Sequence, residues 1–157
     1  MFSFRPNLEY CAVTLGLRHF EANLEGESNK ADQIAMDLLM ARADLYAEGA
    51  LWDELLDLAR DIVTLQPEDP HAWIHWAHSF RKLGRIEDAR KVLLRAKFTH
   101  PVCAVLDYNL ACYDSLLGHP NDAQRHLESA CEISPKWETV ALCDPDLKGL
   151  TSYVSAA

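Results

Sequence analysis

Apolar residues in this chain recur at helical spacing, in paired stripes separated by a glycine. Over residues 70–101, Trp73, Trp76, Ala77 and Phe80 make one stripe, and Ile86, Ala89, Leu93 and Ala96 make a second. Between them Lys82-Leu83-Gly84-Arg85 interrupts the helix, glycine supplying a turn conformation that other residues avoid. His100-Pro101 ends the second stripe. The pattern predicts two short antiparallel helices. Neither buries its stripe alone, so a stable fold requires stacking against further copies.

Those copies are present. Pro67, Pro101 and Pro135 fall 34 residues apart, and Gly84/Gly118, Ala89/Ala123, Ala96/Ala130 and Ala43/Ala77/Ala111 keep the same register. The units run 36–69, 70–103 and 104–135 within a single domain. In the first, Leu39, Ala43 and Tyr46 hold their columns. Its second helix places Leu55, Ala59 and Ile62 where the next unit has Ala89, Leu93 and Ala96, an exchange of sizes that conserves packed volume. In the third, Tyr108 and Tyr113 are displaced one place, and Asp107 and Asp114 take the aromatic columns. These aspartates would lie near the preceding second helix, which carries Arg90 and Lys97, and are expected to form ion pairs between repeats. At the ends, residues 7–29 read as a degenerate N-capping hairpin or one amphipathic helix, and 136–151 as C-terminal capping helices. Asp144-Pro145-Asp146-Leu147 has the composition of a helix start.

The series Trp73…Trp76-Ala77…Phe80…Gly84…Ala89…Leu93…Ala96…Pro101 resembles the tetratricopeptide repeat. The next copy runs Tyr108-Asn109-Leu110-Ala111…Gly118…Ala123…Leu127…Ala130…Pro135. Together with Asp144-Pro145-Asp146-Leu147, this order is similar to that of small bacterial tetratricopeptide proteins. The resemblance covers about residues 36–135. It implies an all-α, tetratricopeptide-type α-solenoid, a right-handed superhelix of helical hairpins with capping helices at both ends.

It also implies a ligand face. In this family the first helices of successive repeats line a concave groove that binds another protein or peptide. Its groove positions fall here on Asp37, Met40, Asp44 and Ala47, then on His71, Ile74, His75, His78, Arg81 and Lys82, then on Val105, Tyr108, Asn109, Cys112 and Ser115. The expected groove is acidic at one end, cationic in the middle, and aromatic at the other. An anionic segment beside an apolar anchor at Tyr108 and Ile74 would suit it. One subclass clamps chaperone carboxylates with lysine, asparagine and arginine. Met40, Asp44, Val105 and Asn109 occupy those places here, and that activity does not transfer.

Charge sharpens the picture. The net charge is −9, which argues against general nucleic-acid or anionic-membrane partners. Residues 36–69 carry two basic and nine acidic side chains, 70–103 seven and two, and 104–157 three and eight. A basic repeat lies between acidic ones, which predicts attraction between neighbouring repeats or a partner reading alternating sign. The five cysteines form no CxxC pair and read as reduced thiols of a cytoplasmic protein; the N-terminal stretch lacks a signal-peptide cleavage site.

Candidate chemistry is sparse. His71, His75 and His78 share a helical face at metal-ligand spacing, but Lys82 on the same face would repel a divalent ion. Cys112 lacks an orienting acid and an oxyanion loop in sequence. No cofactor is expected. The composite expectation is a non-catalytic interaction module, monomeric or homodimeric. The second reading is a small acidic chaperone of the secretion type holding an unfolded client, and the third a metal- or thiol-dependent enzyme.

Overall fold

The structure, a computed structural model, describes residues 25–150. Residues 1–24, and with them most of the hairpin expected over 7–29, lie outside the described residues. Among the described residues seven α-helices follow one another: α1 (Glu25–Glu48), α2 (Trp52–Leu65), α3 (Pro70–Lys82), α4 (Ile86–Thr99), α5 (Ala104–Leu116), α6 (Pro120–Ile133) and α7 (Lys136–Cys143). A 3-10 turn, Pro145–Leu147, follows. No strand occurs among the described residues, and no helix there is long and apolar enough to cross a membrane.

The helices stack as hairpins, α1/α2, α3/α4 and α5/α6, with each second helix also packed on the first helix of the next unit. The small residues of the repeat make this possible. Ala43, Ala77 and Ala111 are fully buried, as are Leu55, Ala59 and Ile62 and their counterparts Ala89, Leu93 and Ala96. The size exchange read from sequence therefore fills the same layer from opposite sides.

All three hairpin turns are built alike. The amide of Leu51 donates to Tyr46 O at 2.9 Å, that of Arg85 to Phe80 O at 2.8 Å, and that of His119 to Asp114 O at 2.8 Å. This six-to-one bond is the Schellman closure, which requires a left-handed residue just before the donor. Gly84 and Gly118 supply it at φ 76°, but the first turn uses Ala50 at φ 54°. Ala50 is thus the position where the first copy departs from the repeat at a conformational cost.

Acidic residues of the third hairpin tie it to the second from inside the interface. Asp114 is fully buried and accepts from Arg90 Nε at 2.5 Å, while Asp107 accepts from Lys97 Nζ at 2.7 Å. The imidazole of His126 lies between the two carboxylates, Nδ1 3.4 Å from Asp107 and Nε2 3.8 Å from Asp114. Burial disfavours the Asp107 carboxylate, but bonds from His126, Lys97 and Ser129 outweigh it and hold its pKa below the ordinary value. Much of the basic excess in residues 70–103 is satisfied here.

Two ends differ from expectation. Residues 25–29 belong to α1, which runs unbroken to Glu48, so the element expected over 7–29, a hairpin or one helix, has no boundary at 29. At the other end Asp144 caps as expected, its side chain accepting from the Asp146 amide at 2.9 Å. The helix it begins lasts only one turn. Lys148 and Gly149 follow, and Leu147 and Leu150 are buried against the stack.

Replacing Ala50 by glycine is expected to stabilise the protein by about 0.5–1 kcal/mol, since the left-handed strain is removed at the expense of unfolded-state entropy. The check is a shift of the urea midpoint to higher concentration with unchanged slope. An equal or lower midpoint would contradict the assignment of strain to this turn.

Candidate functional site

The groove positions lie on α1, α3 and α5, and the structure divides them into two sets. The first set is closed. The acidic turn after α7 lies across α5, and its polar atoms take up the side chains expected to meet a ligand. Tyr108 donates to Asp144 Oδ2 at 2.6 Å, and its ring stacks on Trp137 with centroids 4.3 Å apart. Cys112 Sγ contacts the same carboxylate oxygen at 3.7 Å, and Ser115 Oγ donates to Asp146 O at 2.6 Å. Arg81 of α3 pairs with the Asp146 carboxylate, bridging α3 to the turn. The expected aromatic anchor, Tyr108, and the expected cation, Arg81, are therefore already occupied by the chain itself.

The second set is open. Met40, Ile74 and Val105 are half-buried, with Met40 and Ile74 packed against the core. Asp37 is exposed and accepts from Gln33 at 2.8 Å; Ala47 is half-buried. Asp44 meets His75 Nε2 at 3.1 Å, a contact that joins α1 to α3 across the hollow. Asn109 donates its amide to Val105 O at 2.8 Å, which fixes the carboxamide on the same side.

The three histidines part company. His71 turns back to Asp69 at 3.0 Å, His75 meets Asp44, and His78 packs edge-on against Trp52 with centroids 5.5 Å apart. Lys82 lies over the same indole at 5.5 Å, so it too is directed to α2. The shared helical face read from sequence does not become a shared coordination site. Burial lowers the pKa of His75, and neighbouring Asp44 acts in the opposite sense. His78 is pushed down to about 4 by burial, then by Lys82 and Arg81.

Two other groups bring three potential metal donors within 4.8 Å: Cys112 with Asp144 and Asp146, and Asp114 with His119 and Asp122. In each an arginine supplies the positive charge. Arg81 pairs with Asp146, and Arg90 reaches Asp114 at 2.5 Å and Asp122 at 3.6 Å. Burial and the adjacent Asp144 and Asp146 raise the Cys112 thiol far above its ordinary range. It stays protonated, the reverse of what a nucleophile needs.

Sequence reasoning did not anticipate that Asp144, Asp146 and Trp137 would occupy the face of α5. The signal available was the acid-proline-acid run itself, which names a cap but not its docking place.

No protein-family profile matches the sequence, and no curated protein matches it. Among solved structures the chain is similar to the type III secretion translocator chaperone SycD of Yersinia enterocolitica, with TM-score 0.64, 13% identity, and 86% of this chain and 96% of that one covered. It is similar to PcrH from Pseudomonas aeruginosa, with TM-score 0.59, 15% identity, and 88% and 94% coverage. It is also similar to SycD in complex with a peptide of the translocator YopD, with TM-score 0.62, 14% identity, and 77% and 87% coverage. The shared architecture is the tetratricopeptide-type α-solenoid.

Because His78 is neutral when folded and ordinary when unfolded, its stabilising share is complete above about pH 6.5 and falls as pH drops toward about 4. An NMR titration of its imidazole is expected to show a midpoint near 4. His78→Gln should flatten the loss of stability between those pH values. A midpoint near 6.5 and parallel stability curves would contradict the packed, desolvated placement against Trp52.

Proposed function

We propose that this chain is a non-catalytic binding module of the secretion-chaperone kind, which holds an extended segment of a bacterial protein in the hollow lined by α1 and α3. The observation that carries the reading is the half-exposed apolar set Met40, Ile74 and Val105 beside the carboxylates of Asp37 and Asp44. Apolar pockets give such a segment affinity, and polar walls set its register.

The similar structures support a peptide as the occupant, since SycD is seen with a peptide of the translocator YopD and PcrH with the chaperone binding region of PopD. The protonated state of Cys112 and the arginine-filled donor groups favour binding over chemistry. A bacterial cytoplasmic setting fits that role and the thiols of Cys103, Cys112, Cys131 and Cys143, all free among the described residues. The general adaptor reading is the same physical activity without a committed client; whether the module works as a monomer or homodimer does not alter this mechanism.

Selection from a displayed library of short random peptides tests the reading. Peptides enriched by the protein should lose at least about tenfold in affinity on Ile74→Asp, with helical circular dichroism unchanged. Lys91→Glu, on the outer face of α4, should leave affinity within about twofold. Equal loss in both variants, or loss in Lys91→Glu alone, would move the binding surface to the convex face.

A further inference from the structure

The composition of residues 70–103 points to an anionic ligand, but the placement of each cation does not. Arg81 is neutralised by Asp146. Lys82 and His78 are turned against Trp52, away from the strip formed by Met40 and Ile74. Arg90 and Lys97 are inside the interface with α5, on Asp114 and Asp107. Arg85 and Lys91 pair with Asp88 at 2.8 and 3.5 Å, and Arg95 lies over the rings of Trp73 and Trp76. None of these side chains is left to face the open half of the hollow.

The groups that do face it accept hydrogen bonds. Asp44 keeps its side chain 65% exposed although one oxygen meets His75, and Asp37 is exposed on the same helix about two turns earlier. Asn109 gives one amide hydrogen to Val105 O and keeps its oxygen, along with its second hydrogen, for a ligand. His75 faces Asp44 from α3, and His71 is held by Asp69, so neither imidazole offers a free cation to an incoming acid.

From this we infer that the segment held in the open half carries lysine or arginine beside its apolar anchors, the chain's own Asp144–Asp146 turn having taken the cationic half. The inference rests on the peptide-holding reading above and specifies the partner of that same site. The resident turn acts as a stop. It supplies the acidic partner of Arg81 and Tyr108 internally, and it confines an added peptide to the stretch between α1 and Val105. Within that stretch a basic side chain gains two carboxylates, whereas an acidic one meets like charge.

Fluorescence anisotropy on the full chain, with two labelled peptides of one apolar pattern, tests this. One carries lysines flanking the apolar residues, the other glutamates at the same places. The lysine probe is expected to bind about tenfold tighter at low salt, with the gap shrinking in high salt. Asp37→Asn with Asp44→Asn should bring the two probes to within about threefold of each other. Equal binding of both, or preference for the glutamate probe, with either lost on Ile74→Asp, would overturn the charge assignment and leave the groove in place. Binding of the lysine probe that ignores the asparagine variants would overturn it also. Binding of neither probe would overturn this inference and the peptide-holding reading together.

Discussion

A helix of thirteen or fourteen residues, such as α3 or α4, buries one stripe against its hairpin partner and leaves a second contact surface that only another hairpin can cover. Everything else in the molecule answers that requirement. Alanine columns let the hairpins approach, the Schellman turns fix the reversal at equal intervals, and the buried Asp107 and Asp114 lock α5 onto α4 through Lys97 and Arg90. A buried charge is strongly unfavourable unless it is paired, so these aspartates accept only one docking register of the third hairpin.

The last hairpin has no successor, and the demand for cover falls on the chain end. The short α7 and the turn after it bury Ala141, Leu147 and Leu150. Polar atoms come with the turn. Once Leu147 is seated, Asp144 and Asp146 lie over Tyr108, Cys112, Ser115 and Arg81. Closing the stack therefore also shortens the hollow and removes its cationic half. The charge left on the open part of the hollow follows from how the end of the fold is sealed.

Much of this was legible in the sequence because a repeat prints itself in columns. The hairpins, their turns at Gly84 and Gly118, the exchange at Leu55, Ala59 and Ile62, and the pairing of Asp107 and Asp114 with Lys97 and Arg90 all follow from residues one period apart. What was not legible is aperiodic. Asp144-Pro145-Asp146 reads as a cap whatever surface it lands on, and nothing in its spacing names α5. His71, His75 and His78 share a helical face, but side-chain partners on α1, α2 and the preceding loop pull the rings apart. Counting charges by repeat gave the right total but could not show which cations were already paired.

The central claim is that the hollow is open between α1 and α3 and sealed over Tyr108, Cys112 and Ser115 of α5. It is tested most directly by native-state alkylation with iodoacetamide, read residue by residue by mass spectrometry. Cys143 is exposed, whereas Cys112 is buried beneath Asp144. The account predicts that Cys143 is modified at once, while Cys112 reacts only as the turn opens and at least about a hundredfold more slowly, as a locally protected site does. Comparable rates at the two thiols in the folded protein would show the face of α5 to be open, and would contradict the account.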